Sequence, residues 1–139
     1  MADITVTAGS VVATSGSSIQ RVTFGATIVQ GKALYLDTSD NEWKLANCET
    51  SLVTAGRDGI AVSLSSGADG QEGVIWLGGS HINLGATLAV GTAYYVSVTG
   101  GIMPVGDLAT ADYVTLLGIA TTTALLKPSI NVTGVQVPA

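Results

Sequence analysis

Charged and aromatic side chains are scarce in this chain of 139 residues. Charged residues account for 11% of the sequence, against about 25% in an ordinary soluble domain, and aromatic residues for 5%. Five lysines and arginines, spread over a chain with a net charge of −5, cannot neutralise a run of phosphates. We therefore expect no nucleic-acid partner.

Histidine and cysteine each occur once, at His81 and Cys48. A single cysteine excludes an intramolecular disulfide, and two such residues are too few for the usual ligand set of a catalytic zinc site. No Gly-x-Ser-x-Gly elbow and no glycine-rich phosphate-binding motif is present. We predict no catalytic residue, no metal site and no cofactor, and therefore a protein that is not an enzyme.

Long apolar runs are also missing. The longest stretch without Asp, Glu, Lys or Arg, residues 73–106, is interrupted by repeated glycines, so we expect no membrane span and no membrane partner. The first residues have neither a basic start nor an apolar segment of the secretory type, and we expect no signal peptide. A hydrophobic content of 47% then favours burial in a protein–protein interface. The alternative is a monomer with a neutral surface rich in Thr and Ser.

Acidic residues cluster at Asp37, Asp40 and Glu42, in a predicted hairpin turn. A calcium loop of the EF-hand type needs acidic oxygens at alternate positions, a central glycine and a distant Glu, and these are not in register here. We interpret the cluster as a solvated turn whose side chains bond to the local backbone. A sugar-cleaving pair of carboxylates remains compatible with the spacing.

An internal repeat is the strongest signal of organisation. Residues 24–36 (FGATIVQGKALYL) and 84–96 (LGATLAVGTAYYV) share six identities in 13 positions at an offset of 60. Further on, Gly-Ile-Ala occurs at 59–61 and again at 118–120, an offset of 59. We infer a duplication, with repeats at about residues 22–65 and 82–125.

Alternating apolar and polar residues predict three strands in each repeat. They cover 33–37, 42–45 and 59–64 in the first repeat, and 93–98, 102–104 and 114–121 in the second. Gly78-Gly79 is predicted to join residues 73–77 and 81–84 as a further hairpin. The predicted fold is all-β, a small β-sandwich or barrel over residues 21–139. An extended N-terminal arm or strand over 1–20 precedes it, and a C-terminal strand or arm over 128–139 ends it.

Large side chains are candidates for a subunit or partner interface, because aromatic residues dominate interface energetics. We select Trp43, Tyr94 and Met103. Trp43 stands between two charged residues, so we expect it to be at least half exposed. Trp76 stands inside an apolar run and is expected in the core.

The order of these turn-and-strand phrases resembles that of the decoration, or cement, proteins encoded in the head operons of tailed bacteriophages. The likeness is carried by ADITVT (2–7), GKALYLD (31–37), WKLA (43–46), GIA (59–61), DGQ (69–71), YY (94–95), GGI (100–102) and LGIA (117–120). The resemblance implies a structural virion protein on the outer capsid surface, present in the host cytoplasm during assembly. It would stabilise the shell by binding between subunits of the major capsid protein.

The resemblance further implies a typically trimeric body, so self-association as a homotrimer is expected. It also implies an N-terminal arm that contacts the shell. The candidate capsid-contact residues are Asp3, Ile4, Thr5, Val6 and Thr7, an alternating stretch that is expected to be unpaired. The alternative function is a receptor- or glycan-binding module of a phage head or tail fibre, with exposed Trp43, Tyr94 or Met103 as a stacking platform.

Overall fold

Eleven strands and two single-turn 3₁₀ helices are found in residues 3–138, the part of the chain described by the computed structural model. The strands are β1 (Val11–Ala13), β2 (Ile19–Thr23), β3 (Ala33–Asp37), β4 (Glu42–Leu45), β5 (Ile60–Ser63), β6 (Glu72–Trp76), β7 (Ile82–Leu84), β8 (Ala93–Val96), β9 (Ile102–Pro104), β10 (Tyr113–Ala120) and β11 (Leu125–Gln136). The 3₁₀ helices are Ala8–Ser10 and Val105–Asp107. The strands pair antiparallel in two sheets, which confirms the predicted all-β sandwich.

The two sheets share one strand order. Sheet A runs β1-β7-β11-β10-β8-β9 and sheet B runs β2-β6-β5-β3-β4. Without β1, the two orders have the same form: the strands at matching positions are β2 and β7, β6 and β11, β5 and β10, β3 and β8, and β4 and β9. The hairpins differ by one residue in the turn, because Tyr35 lies opposite Lys44, nine residues later, and Tyr95 lies opposite Met103, eight residues later. Each predicted repeat therefore supplies the main part of one sheet.

The second sequence match does not mark equivalent positions in the two sheets. Ile60 lies opposite Tyr35, so the repeat predicts that Ile119 lies opposite Tyr95. Ile119 instead lies opposite Ala93, two residues before Tyr95. The reason is local: β10 has eight residues against four in β5, and it carries a bulge before Gly118.

Sheet B curls until its two edges meet. β2 pairs with β6 at one edge, while Phe24, which follows β2, forms a parallel bridge with Trp43 of β4 at the other edge. The Gly25 N–H donates to the Trp43 carbonyl at 2.8 Å and seals this contact. Sheet B therefore has a small core of its own, made of Phe24, Ile28, Leu34, Trp43, Ala61 and Ile75.

A larger core joins the two sheets. It brings Val62 and Trp76 of sheet B together with Tyr94 and Leu126 of sheet A. Trp76 is fully buried, as predicted, and its indole Nε1–H donates to the Ser80 carbonyl at 3.1 Å. Because burial of one large apolar side chain contributes about 1.5–3 kcal/mol, this cluster is what holds the sheets against each other.

One prediction about chain direction is corrected. Gly78-Gly79 does not form a hairpin, because β6 pairs within sheet B and β7 pairs within sheet A. This segment instead carries the chain from one sheet to the other, with both glycines at positive φ. The arm predicted over residues 1–20 is also partly integrated in the sandwich, since β1 pairs with β7 and β2 begins at Ile19.

Candidate assembly site

Residues 3–7, called the N-terminal segment below, lie on the body of the protein. The Ile4 N–H donates to the Ile102 carbonyl, and the Thr7 N–H donates to the Gly85 carbonyl, both at 2.8 Å. Ile102 belongs to β9, the edge strand of sheet A. The segment was expected to be unpaired, and in the folded chain it is held at both ends.

The side chains of the N-terminal segment alternate as the sequence predicts. Ile4 and Val6 are half-buried against the core shared by the sheets, whereas Asp3, Thr5 and Thr7 are exposed. The apolar side of the segment is therefore already in contact with the body. A contact with another protein that leaves the segment in place would involve its polar side.

Three glycines form the groove that holds the segment. A Cβ on Gly85 would overlap the last carbonyl oxygen of the segment, and a Cβ on Gly101 would overlap the carboxylate at its start. A Cβ on Gly31 would lie 2.6 Å from Val6 Cγ1. Gly31 belongs to the first repeat and the other two glycines to the second, so the segment bridges the repeats. A cavity of about 110 Å³ remains beside the segment, lined in part by Ile4 and Val6.

The groove lies at the position in the second repeat that corresponds to the closing contact of the first repeat. In the first repeat, the Gly25 N–H donates directly to the Trp43 carbonyl. The register of the hairpins makes Gly85 and Ile102 the equivalent residues of the second repeat. There the N-terminal segment lies between the two residues and bonds to both carbonyls. The second repeat thus has a seam that is wider by one extended chain.

The three predicted interface side chains are buried. Trp43, Tyr94 and Met103 are 7%, 3% and 0% exposed, so the prediction that they form a surface platform is wrong for the folded chain. Trp43 alternates along β4 with its charged neighbours, and the period of two places it on the enclosed face of sheet B. The Tyr94 hydroxyl accepts a hydrogen bond from the Ala89 N–H at 2.9 Å.

A long strand edge is the site feature that sequence reasoning missed. One side of β11 pairs with β10 along most of its length, but the other side pairs with β7 only at Leu125 and Leu126. Within residues 3–138 no strand pairs that side over 127–136, the last ten residues of β11. Such an edge is a template for pairing with another chain. The alternation of residues 130–137 indicated a strand, but strand order depends on tertiary structure.

Exposed aliphatic side chains accompany the sheet edges. Val12 of β1, Ile19 of β2 and Val135 of β11 are 59%, 56% and 60% exposed. β1 is one edge strand of sheet A, and β2 is the edge strand of sheet B that meets β4. Single exposed aliphatic residues are normal on a surface, but Val135 adds apolar area on β11, where a partner strand would dock.

The acidic cluster is a solvated turn, as interpreted from the sequence. Asp37 Oδ1 accepts the Ser39 N–H at 3.0 Å, and Asp40 Oδ1 accepts the Glu42 N–H at 3.1 Å. Lys44 Nζ donates to Asp37 Oδ2 at 2.7 Å and to Asp40 Oδ2 at 2.9 Å. Across residues 3–138 no three His, Cys, Asp or Glu side chains are grouped so that they could hold a metal ion.

The hydrogen bond from Lys44 lowers the pKa of Asp37 to about 2, with further bonds from Ser39 acting in the same direction. A carboxyl whose pKa is depressed by folding stabilises the protein above its unfolded pKa, and this contribution is lost as the pH falls through the folded pKa. We expect the stability difference between wild type and Asp37→Asn to shrink between pH 4 and pH 2.

Lys44→Met should return the pKa of Asp37 toward its ordinary range, because the hydrogen bond from Lys44 is removed. Carboxyl NMR measures this pKa. An unchanged pKa would mean that Lys44 is not the cause of the shift.

The single cysteine and the single histidine lie in different environments. Cys48 is fully buried, and burial is the main reason that its pKa is raised to about 12, so the thiol is protonated at neutral pH. His81 lies half-buried in a surface groove of about 460 Å³ together with Lys127, where the chain crosses from β6 to β7. The structure does not bring the two residues together as a nucleophile and its base.

Comparison with protein-family models, with characterised proteins and with solved structures finds no match to this chain. What the protein does must therefore be inferred from its own residues. Within residues 3–138 the helices are single turns, and none is long and apolar enough to cross a membrane.

Proposed function

We propose that this chain is a structural virion protein that decorates the outer surface of a tailed-phage capsid. It stabilises the shell by binding between subunits of the major capsid protein. The observation that carries the proposal is the edge of β11 over residues 127–136, which no strand pairs within residues 3–138. Its backbone is open to a neighbouring chain except at Pro128, which has no N–H, and at the Val135 N–H, which donates to Thr133 Oγ1. The resemblance of the turn-and-strand phrases suggests which chain that neighbour is.

The chemistry of the surface suits this role. Pairing between backbones gives affinity without charged side chains, and charged residues are 11% of the sequence. The exposed aliphatic residues beside the edges add apolar area, at about 25 cal/mol for each Å² removed from water. A protein that locks neighbouring capsid subunits together needs such a docking edge repeated on many copies.

The exposed side of the N-terminal segment belongs to the same proposal. Asp3, Thr5 and Thr7 face solvent while Ile4 and Val6 anchor the segment. The capsid contact predicted for these five residues is therefore proposed for the three exposed side chains. The two apolar side chains pack against the body and keep the segment in position.

Self-association as a homotrimer is part of the proposal, because closed symmetry hides sheet edges. The expected mass is 3 × 13.9 = 41.7 kDa.

Binding to undecorated heads of the phage that encodes the protein tests the proposal. Val135→Lys places a charge on the open edge of β11 and is expected to weaken binding about tenfold or more, which corresponds to about 1.4 kcal/mol. Thr123→Lys adds the same charge in the exposed turn before β11 and serves as the matched control. Co-sedimentation of purified protein with heads gives the affinities.

Two outcomes would contradict the capsid role. One is equal binding of heads by Val135→Lys and Thr123→Lys, and the other is capture of the wild type by host cells but not by heads. The second outcome would favour a receptor- or glycan-binding module. No observation favours that module now, since the three side chains chosen for its platform are buried.

A further inference from the structure

The closure of the second repeat depends on a segment that is weakly attached. Within residues 3–138, the N-terminal segment contributes two backbone hydrogen bonds to the seam between Gly85 and Ile102, and its two apolar side chains are half-buried rather than fully buried. The cavity of about 110 Å³ next to it leaves part of its apolar side without close contacts. Leaving the groove therefore costs far less than opening a strand of the core.

The connection between the segment and β1 has the properties of a hinge. Residues 8–10 form a single 3₁₀ turn in which no residue is buried. A Cβ on Gly9 would meet no atom within 4 Å, so the turn packs against nothing on that side. The Ser10 N–H donates to the Thr7 carbonyl, which is one bond to break on opening.

The groove, by contrast, is built for one kind of occupant. Gly85 admits the segment backbone at a distance that a Cβ would prevent, Gly31 leaves room for the Val6 side chain, and the body beneath accepts apolar side chains at alternate positions, those of Ile4 and Val6. The carbonyls of Ile102 and Gly85 accept the N–H groups of that backbone. This is the recognition pattern of strand addition, in which main-chain bonds give affinity and alternate side chains give specificity.

We infer that the seam between β9 and Gly85 is a strand-acceptor site, and that in the assembled protein it is filled by the N-terminal segment of a second copy of this chain. The second copy carries the same Asp-Ile-Thr-Val-Thr sequence, so its segment fits the groove as the chain's own segment does. Copies held next to one another raise the local concentration of segments, and an exchanged segment makes the same groove contacts as the chain's own, so the exchange loses none of them. The inference does not depend on the capsid role.

A labelled peptide of residues 3–8 tests the acceptor site in full-length protein. In Ile4→Asp/Val6→Asp the chain's own segment no longer competes, so the peptide is expected to bind this variant at least tenfold more tightly than the wild type, by fluorescence anisotropy. Adding Gly85→Ala to that variant should abolish binding, because the new Cβ overlaps the carbonyl oxygen of the last segment residue. Gly91→Ala is the matched control, since Gly91 also has positive φ but has open space around its Cβ.

Exchange between copies is tested by mixing two full-length proteins. Gly85→Ala has an intact segment and a blocked groove, and Ile4→Asp/Val6→Asp has a free groove and a disabled segment. The two are expected to co-purify through a tag on either one in at least tenfold greater amount than either variant does with a tagged copy of itself, because association through other surfaces is equal in both mixtures. Peptide binding that is no tighter for Ile4→Asp/Val6→Asp than for the wild type, or that survives Gly85→Ala, overturns the inference, as does the absence of the mixed complex.

Amide hydrogen exchange on the wild type tests whether the segment leaves the groove, and this test does not depend on the folding of a variant. The amides of Ile4 and Thr7 are expected to exchange at least tenfold faster than those of β8, because the segment leaves the groove while the sheet stays intact. Exchange of all these amides at one common rate would mean that the segment opens only with the whole protein, and would overturn the inference.

Discussion

Trp76→Ala is expected to lower the free energy of unfolding by about 3–5 kcal/mol, the usual cost of removing a buried aromatic side chain. Trp76 is fully buried in the core that joins the two sheets. Its removal leaves a cavity there and also takes away the donor to the Ser80 carbonyl. Since small domains are stable by about 5–15 kcal/mol, a large part of the total stability should be lost.

Urea unfolding followed by circular dichroism measures this loss. The matched control is Ile19→Ala, because Ile19 lies directly opposite Trp76 in the pairing of β2 with β6 but is 56% exposed. The control should change the free energy of unfolding by about 0.5 kcal/mol or less. Similar losses for both variants would mean that Trp76 does not hold the sheets together.

Gly73→Ala is expected to destabilise the protein by about 1–3 kcal/mol through overpacking. The added Cβ would overlap the ring of Phe24, which is fully buried in the small core of sheet B. Phe24→Ala alone should cost about 3–5 kcal/mol because it empties that core. The double variant should be less destabilised than the sum of the two, since the alanine at position 73 no longer meets a ring.

The double-mutant cycle isolates this contact. We expect an interaction energy of about 1–3 kcal/mol, within the range for residues that touch. Gly106→Ala is the control for adding a methyl group alone, because a Cβ there would meet no atom within 4 Å. Additive effects of Gly73→Ala and Phe24→Ala would show that sheet B does not enclose the ring as described.

Local patterns predicted the strands of the repeat hairpins accurately. β3, β4 and β9 have the predicted bounds, because alternating apolar and polar residues and a neighbouring turn can be recognised in a few consecutive residues. Trp76 was placed correctly for the same local reason, a run of apolar neighbours.

The errors concern how distant parts of the chain meet. Trp43 was expected at the surface because its neighbours are charged, although a period of two puts neighbours on opposite faces of a strand. Its burial depends on Phe24, which reaches it from the far edge of the sheet. The open edge of β11 and the groove for the N-terminal segment are likewise set by strand order, and no local sequence pattern reports that order.

The position of Ile102 in the groove has a consequence for synthesis. Residues 3–7 leave the ribosome well before Gly85 and Ile102, whose carbonyls receive them. The first repeat closes with its own residues, so it is free to fold while the second is still being translated. Residues 3–7 therefore wait for almost a hundred residues to be translated, and they are among the last to reach their place.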